Sequence, residues 1–306
     1  MKAISSLRFK IRYAFLSTFM VVSPIFRAQH LNTQQNWAVN KHEISLGLGA
    51  TGFLGDLGGA DQAVSDYSLK DIDFNSSQFG GSFSYRYRFH RYFATSTMIH
   101  AGMLQGSDVF TSEPVRNMRN LNFRSFFTMI SQRFEVVLLA NERAGRNRRS
   151  GRYIDHNEQF YVVGGIGGMY FNPKTRYQGS WVTLHDKHTE GQGLPGGPAP
   201  YKRITATVPL GVGFRMGIGQ LWRIGLEVTY VKTFSDYIDD VSGEYYDPVM
   251  IGAAYGPDAA YLSNPSETPE AFNPGSQRGG KHKDAFFYAN IMLIRNITYK
   301  SRSNRF

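Results

Sequence analysis

The sequence predicts an all-β protein, an eight-stranded antiparallel transmembrane β-barrel of the outer-membrane type. Three observations predict it. Apolar and polar residues alternate with period two over stretches of ten residues or more. The connections between these stretches are mostly long and short in turn, as in outer-membrane barrels. The polar face of the clearest stretches carries small residues and arginine but no lysine. Composition agrees: 32 Gly, 23 Phe, 18 Tyr and 3 Trp in 306 residues suit strands and tight turns. No apolar run reaches the roughly 20 residues of a spanning helix. Cysteine is absent, which excludes a disulfide scaffold, a thiolate metal site and a cysteine nucleophile.

The chain opens on a basic stretch, Lys2 to Arg12, followed by the apolar run Tyr13 to Phe26 and a candidate cleavage point after Ala28. This is the pattern of a secretory signal peptide. Those first 28 residues hold five basic residues and no acid. The formal net charge of +10 therefore falls to +5 for the exported remainder, 29 basic against 24 acidic residues. That balance gives no reason to expect a nucleic-acid partner. The expected organisation is a signal peptide (1–28), an N-terminal periplasmic segment (29–40), the barrel (41–300) and a short tail (301–306), in the outer membrane.

The strongest strand runs from Lys202 to Met216. Ile204, Ala206, Val208, Leu210, Val212, Phe214 and Met216 alternate with Arg203, Thr205, Thr207, Pro209, Gly211, Gly213 and Arg215. The next pairs Trp222, Ile224, Leu226, Val228 and Tyr230 with Arg223, Gly225, Glu227 and Thr229. A third sets Phe79, Phe83, Tyr85, Tyr87 and Phe89 against Gln78, Gly80, Ser82, Ser84, Arg86 and Arg88. Weaker strands are expected near 41–50, 92–104, 122–139, 158–171 and 284–299. Loops 51–77, 105–120, 172–201 and 235–283 then fall outside the cell, and 217–220 on the periplasmic side. The link near 140–157 should be short and is not.

Periodicity alone does not say which face points inward. A soluble barrel hides its apolar face, and a membrane barrel displays it. Across 17 polar-face positions of the three clear strands there are five Arg, one Glu and otherwise Gly, Ser, Thr, Gln and Pro. A solvated outer face would be laced with Lys and Glu. Small residues with sparse charge fit a narrow lumen, so the expectation is that Arg86, Arg88, Arg203, Arg215 and Arg223 point inward. Glu227, Glu43 or backbone carbonyls would balance them. Tyr87, Phe89, Tyr92, Phe93, Trp222 and Phe234 would form interfacial girdles against outer-membrane lipid.

Few motifs suggest chemistry. Gly47, Gly49 and Gly52 match a dinucleotide-binding spacing, but turn residues rather than a helix signal follow them. His185, Asp186, His188 and Glu190 lie in a Gly/Pro-rich loop, a weak metal pattern. The stretch Asp236 to Asp247 is rich in oxygen ligands without EF-hand spacing. It reads either as an ion loop or as a turn whose aspartates cap backbone donors. No Ser–His–acid grouping stands out, so neither a catalytic residue nor a cofactor is expected. Arg143, Arg146, Arg148, Arg149 and Arg152 form the strongest charge cluster, on the expected periplasmic side. They are the candidate partner-binding residues. A solvated turn touching lipid headgroups is the alternative.

Several stretches resemble the PorG-like family of Bacteroidota outer-membrane barrels, which belong to the type IX secretion system. They are His42-Glu43-Ile44 leading into GLGATGFLGDLGG (47–59), YRYRFHRYF (85–93), GGIGGMYFNPKTRYQG (164–179), EGQGLPGG (190–197) and KTFSDYIDDV (232–241). They run in order through nearly the whole exported chain. The resemblance implies a small β-barrel acting as an accessory outer-membrane component, associated with a periplasmic ring of lipoprotein and partner subunits. It carries no catalytic residues over. The tail Ser301 to Phe306 departs from the expected ending of the last strand at the chain terminus. A passive porin-like or loop-displaying surface barrel is the second reading, and a lipid-modifying barrel enzyme the third.

Overall fold

The computed structural model describes residues 40–57, 76–110, 114–146, 153–218, 221–280 and 282–297. The expected signal peptide and C-terminal tail lie outside the described residues. The strands are β1 (His42–Leu54), β2 (Gln78–Arg88), β3 (Phe93–Ser107), β4 (Asn122–Arg146), β5 (Tyr153–Tyr177), β6 (Ser180–Thr183), β7 (Ile204–Gly217), β8 (Trp222–Thr233) and β9 (Ala285–Ile297). Three short helices belong to the connections: α1 (Pro114–Arg119), α2 (Pro248–Tyr255) and α3 (Pro257–Ser263).

All pairings are antiparallel, in the order β4-β3-β2-β1-β9-β8-β7-β5, and β4 also pairs with β5. The sheet therefore closes on itself as an eight-stranded barrel, while β6 only extends β5 at one rim. Even strand number puts the first and last strand ends at the same rim. That rim also carries the tight links at 89–92 and 218–221, which marks it as periplasmic by the outer-membrane rule.

The outside of the barrel is apolar. Leu48, Ile99, Ile130, Ile166, Leu210, Val228 and Ile291 are all exposed, Leu48 at 76%. Such a continuous exposed belt is unstable in water and suits lipid. No helix among the described residues is long and apolar enough to cross a membrane; the strands do the crossing. Phe89, Phe93 and Phe134 lie ring to ring at the periplasmic rim (Phe89–Phe93 6.4 Å, Phe93–Phe134 5.7 Å), with Tyr92 and Trp222 exposed at the same level.

The inside has two storeys. The outer half is filled by Met98, Leu104, Phe127, Met129, Phe171, Val231, Phe286 and Tyr288, which pack against Leu57, Leu121, Leu184, Ile238, Val241 and Leu262 of the connections. The periplasmic half is charged. This explains why β3, β4, β5 and β9 alternate weakly in sequence: over part of their length both faces are apolar.

Two expectations are corrected. The link at 140–157 is not a loop: β4 and β5 stay paired out to Arg146↔Tyr153. The segment expected as loop 172–201 begins with the continued strand β5 and its hairpin partner β6.

Candidate functional site

Three regions hold buried or concentrated charge: the periplasmic half of the lumen, the outer cap and the hairpin between β4 and β5.

In the lumen, Glu43 on β1 meets Arg86 at 3.2 Å, Arg215 at 3.1 Å and Arg223 at 2.6 Å. Glu135 on β4 meets Arg86 at 2.7 Å and Arg215 at 3.0 Å. Glu227 on β8 accepts from Arg133 at 2.6 Å and from the Tyr161 hydroxyl at 2.7 Å. The Arg215 guanidinium also lies over the Tyr161 ring, 4.0 Å from its centre. These charged side chains are all at most 4% exposed. Period two places them inward, and small neighbours make room: Ser45 and Ser84 join hands at 2.6 Å, and Gly47 and Gly49 leave no volume of their own. The gap beside Glu43, Arg86 and Glu135 is about 10 Å³, roughly one water.

Arg86, Arg88, Arg215, Arg223, Glu43 and Glu227 are thus buried inside as expected. Arg203 is not: the β5–β7 ladder ends at Ile204, and Arg203 lies at the outer rim, 3.5 Å from Asn172 and over the Tyr170 ring. Arg133 and Glu135 were missed, because they sit on a strand whose alternation is blurred by the apolar upper storey.

The outer cap is held by two buried arginines. Arg119, at the end of α1, donates to Asp108 at 2.8 and 2.9 Å, to the Asp56 carbonyl at 2.9 Å and to the Arg278 carbonyl at 2.6 Å. Arg278 donates to Glu190 and to the Asp240 carbonyl, each at 2.8 Å. Four connections are stapled in this way. Asp240 receives the Thr189 and Tyr201 hydroxyls, both at 2.6 Å, and Asp247 caps α2 through the Val249 N–H at 2.8 Å. The capping-turn reading of 236–247 is therefore realised at Asp247 and at Asp239, which accepts from the Val241 N–H at 3.0 Å.

The other motifs resolve simply. Gly47, Gly49 and Gly52 lie within β1 and open no helix. His185 spends one ring nitrogen on Asp186 at 2.8 Å and the other on the Tyr201 carbonyl at 3.1 Å. His188 stacks on Tyr255 at 4.3 Å. Among the described residues no three His, Asp or Glu side chains are already spaced as a metal shell.

At the periplasmic rim, β3 begins opposite Val136 and β7 leaves β5 at Gln159↔Arg215. Beyond those points β4 and β5 continue as a hairpin of six further pairs, Asn141↔Glu158 to Arg146↔Tyr153, with neither outer edge paired among the described residues. Six strand residues span roughly 20 Å. A register shift between Val137 and Leu139 marks where the hairpin leaves the barrel, the usual use of a bulge to re-aim a strand. Arg143 pairs with His156 and Arg146 with Tyr153 in this register. Arg148, Arg149 and Arg152 lie outside the described residues.

Comparison with known proteins was made by sequence and by structure. No known family and no curated protein matches the sequence. Solved structures do align. The attachment invasion locus protein Ail of Yersinia pestis, solved with the heparin analogue sucrose octasulfate, is 7% identical at a TM-score of 0.34, over 84% of this chain and 98% of Ail. Neisserial surface protein A is 6% identical at 0.34, over 84% and 97%. The outer membrane protein AlkL is 10% identical at 0.31, over 91% and 98%. The fold assignment rests on the closed strand order and the inverted polarity described above.

Proposed function

We propose that this barrel is a non-enzymatic anchor that holds or organises a protein-secretion assembly, of the type IX kind, from the outer membrane through its periplasmic face. The observation that supports the reading is the β4–β5 hairpin, which continues past the last pairings to β3 and β7 and includes Arg143 and Arg146 in its paired strands. Five arginines fall in 143–152 with no acid among them. A basic projection steers an acidic partner and fixes its orientation, and arginine suits bidentate carboxylate contacts. The sequence resemblance to PorG-like barrels names the partners to look for: the lipoprotein and partner subunits of a periplasmic ring. The lumen supports no alternative transport role, since inward charge is paired and the outer half is packed.

The test is charge reversal, Arg146, Arg148 and Arg149 to Glu together, with assembly followed by heat-modifiable gel mobility. The reading expects normal assembly, less co-purification of ring subunits and less secretion. Wild-type behaviour in all three would reduce the arginines to a solvated turn. A loop-displaying surface barrel is the second reading, favoured by the ordered cap that Arg119 and Arg278 tie together. It predicts secretion untouched by the reversal and lost surface interactions on disrupting the cap.

A further inference from the structure

The lipid-facing wall carries a polar patch on β3 and β4. Gln132 on β4 is exposed, between the exposed Ile130 and Phe134 of the same outward row. Its side-chain carbonyl accepts from the Thr97 hydroxyl at 2.6 Å, and its side-chain NH2 donates to the Thr95 hydroxyl at 2.6 Å. Thr95 in turn donates to the Arg133 carbonyl at 3.0 Å. Both threonines lie in the outward row of β3, with the exposed Phe93 and Ile99.

The patch is deep in the apolar belt. Exposed Phe126 and Leu138 lie on β4 six residues to either side of Gln132. Six residues are roughly 20 Å of strand, or about 15 Å of depth at the usual tilt. Midway along β1, β7 and β9 the outward residues are instead Leu48, Leu210 and Ile291, all exposed. A side-chain amide has two N–H donors and two acceptor sites. Gln132 uses one of each on the threonines. The remaining pair faces hydrocarbon, where a polar group without a partner is costly.

A second copy of the chain meets these demands. Copies inserted in one membrane share orientation and depth, so a two-fold axis along the membrane normal sets Gln132 against Gln132. An amide with one free donor and one free acceptor site is its own complement about such an axis. Thr95, Thr97 and Gln132 are uncharged, so nothing in the patch repels its twin. The same axis sets β3 of one copy against β5 of the other. There Ile166, the register partner of Gln132, has Gly164 and Gly168 on either side in the outward row. A Cβ at Gly168 would meet nothing within 4 Å. Small residues of this kind let membrane-embedded surfaces approach closely.

We propose that the barrel pairs with a second copy of itself in the plane of the outer membrane, β4 against β4, the two Gln132 amides exchanging hydrogen bonds across a two-fold axis. The pairing sets two hairpins of the same orientation side by side and does not depend on what they dock.

The chain has no cysteine, so single-cysteine variants report contacts cleanly. Full-length Ile130→Cys is oxidised with copper phenanthroline in the outer membranes of the expressing cells and run on non-reducing gels. Ile291→Cys is the control, on β9, four strands from β4 and so on the opposite wall. The proposal expects a disulfide-linked species of twice the monomer mass from Ile130→Cys and little from Ile291→Cys. Adding Gln132→Leu, which suits lipid, should cut the Ile130→Cys dimer roughly five-fold with heat-modifiable mobility retained. Should Gln132→Leu fail to assemble, Gly168→Leu replaces it: the new side chain has room in its own barrel but blocks the second copy, and the dimer falls likewise. Monomer alone from Ile130→Cys, equal dimer from both cysteines, or dimer undiminished by Gln132→Leu or Gly168→Leu overturns the pairing. An adduct of another mass puts a different protein on the patch and overturns the identity of the partner.

Discussion

Glu43 on β1 accepts from Arg223 on β8 at 2.6 Å, across the intervening strand β9 and inside the barrel wall. The same carboxylate serves Arg86 and Arg215. Replacing it by leucine leaves three buried guanidinium groups short of charge. Glu43→Leu is expected to cost about 3–5 kcal/mol of barrel stability, the usual penalty for breaking a buried pair. Adding Arg223→Leu should recover part of that loss, because it removes one orphaned charge. Urea unfolding in detergent, read as a double-mutant cycle, measures both effects. Equal stability of Glu43→Leu and wild type would contradict the network.

The paired charges and the packed upper storey leave no path for ions. Eight strands enclose just enough room for side chains, and the gap among the charged groups is about 10 Å³. Pure protein in planar bilayers is expected to give no steady single-channel current. Large, stable conductance would show the lumen to be open.

Gly49 permits the closest approach between β1 and β9. A Cβ there would lie 1.8 Å from the Ala289 carbonyl oxygen and 2.6 Å from the Asn290 side chain. Gly168 on β5 has nothing within 4 Å of the same position. Gly49→Ala should destabilise by about 1–3 kcal/mol through overpacking, while Gly168→Ala should stay within about 0.5 kcal/mol of wild type. Thermal shifts of the heat-modifiable band compare the two.

The cap carries its own pH dependence. Burial, followed by partial relief from Arg278 and from the Thr189 and Tyr201 hydroxyls, leaves Asp240 pushed up to about 6. Burial with the repulsion of Asp56 and Glu190, against Ser242 and Lys232, pushes Asp236 up to about 7. An unfolded aspartate ionises near about 4. Between these values the unfolded cap releases protons that the folded cap keeps, so cap stability falls as pH rises through that window. Proteolysis of the connection between β8 and β9 should therefore speed up from pH about 4 to about 7 relative to that of a denatured control. A cap that tightens with rising pH would contradict the sign.

How much of this was legible in sequence depended on what each strand faces. In β2, β7 and β8 the inward residues are small or charged, so lipid-facing Phe83, Leu210 and Leu226 stand out against them. In β4 the inward Phe127 and Met129 erase that contrast, and Arg133 and Glu135 were lost with it. The hairpin beyond Ala140 was illegible for another reason: Glu142 to Asn157 show no apolar–polar alternation. Arg203 was misplaced because the alternation runs on where the ladder has ended. The cap staples Arg119 and Arg278 follow no period, since they are defined by contacts between distant loops.

The central claim is that the hairpin beyond the rim is the docking element. Its most direct test is excision: residues 141–158 replaced by a two-residue Asn-Gly turn, which closes β4 on β5 next to the Ala140↔Gln159 pair. Heat-modifiable mobility reports whether the barrel still closes, and co-purification from gently solubilised outer membranes reports the partner. The account predicts a normally folded barrel that no longer brings down periplasmic ring subunits. A folded, shortened barrel that retains them at wild-type levels would contradict it.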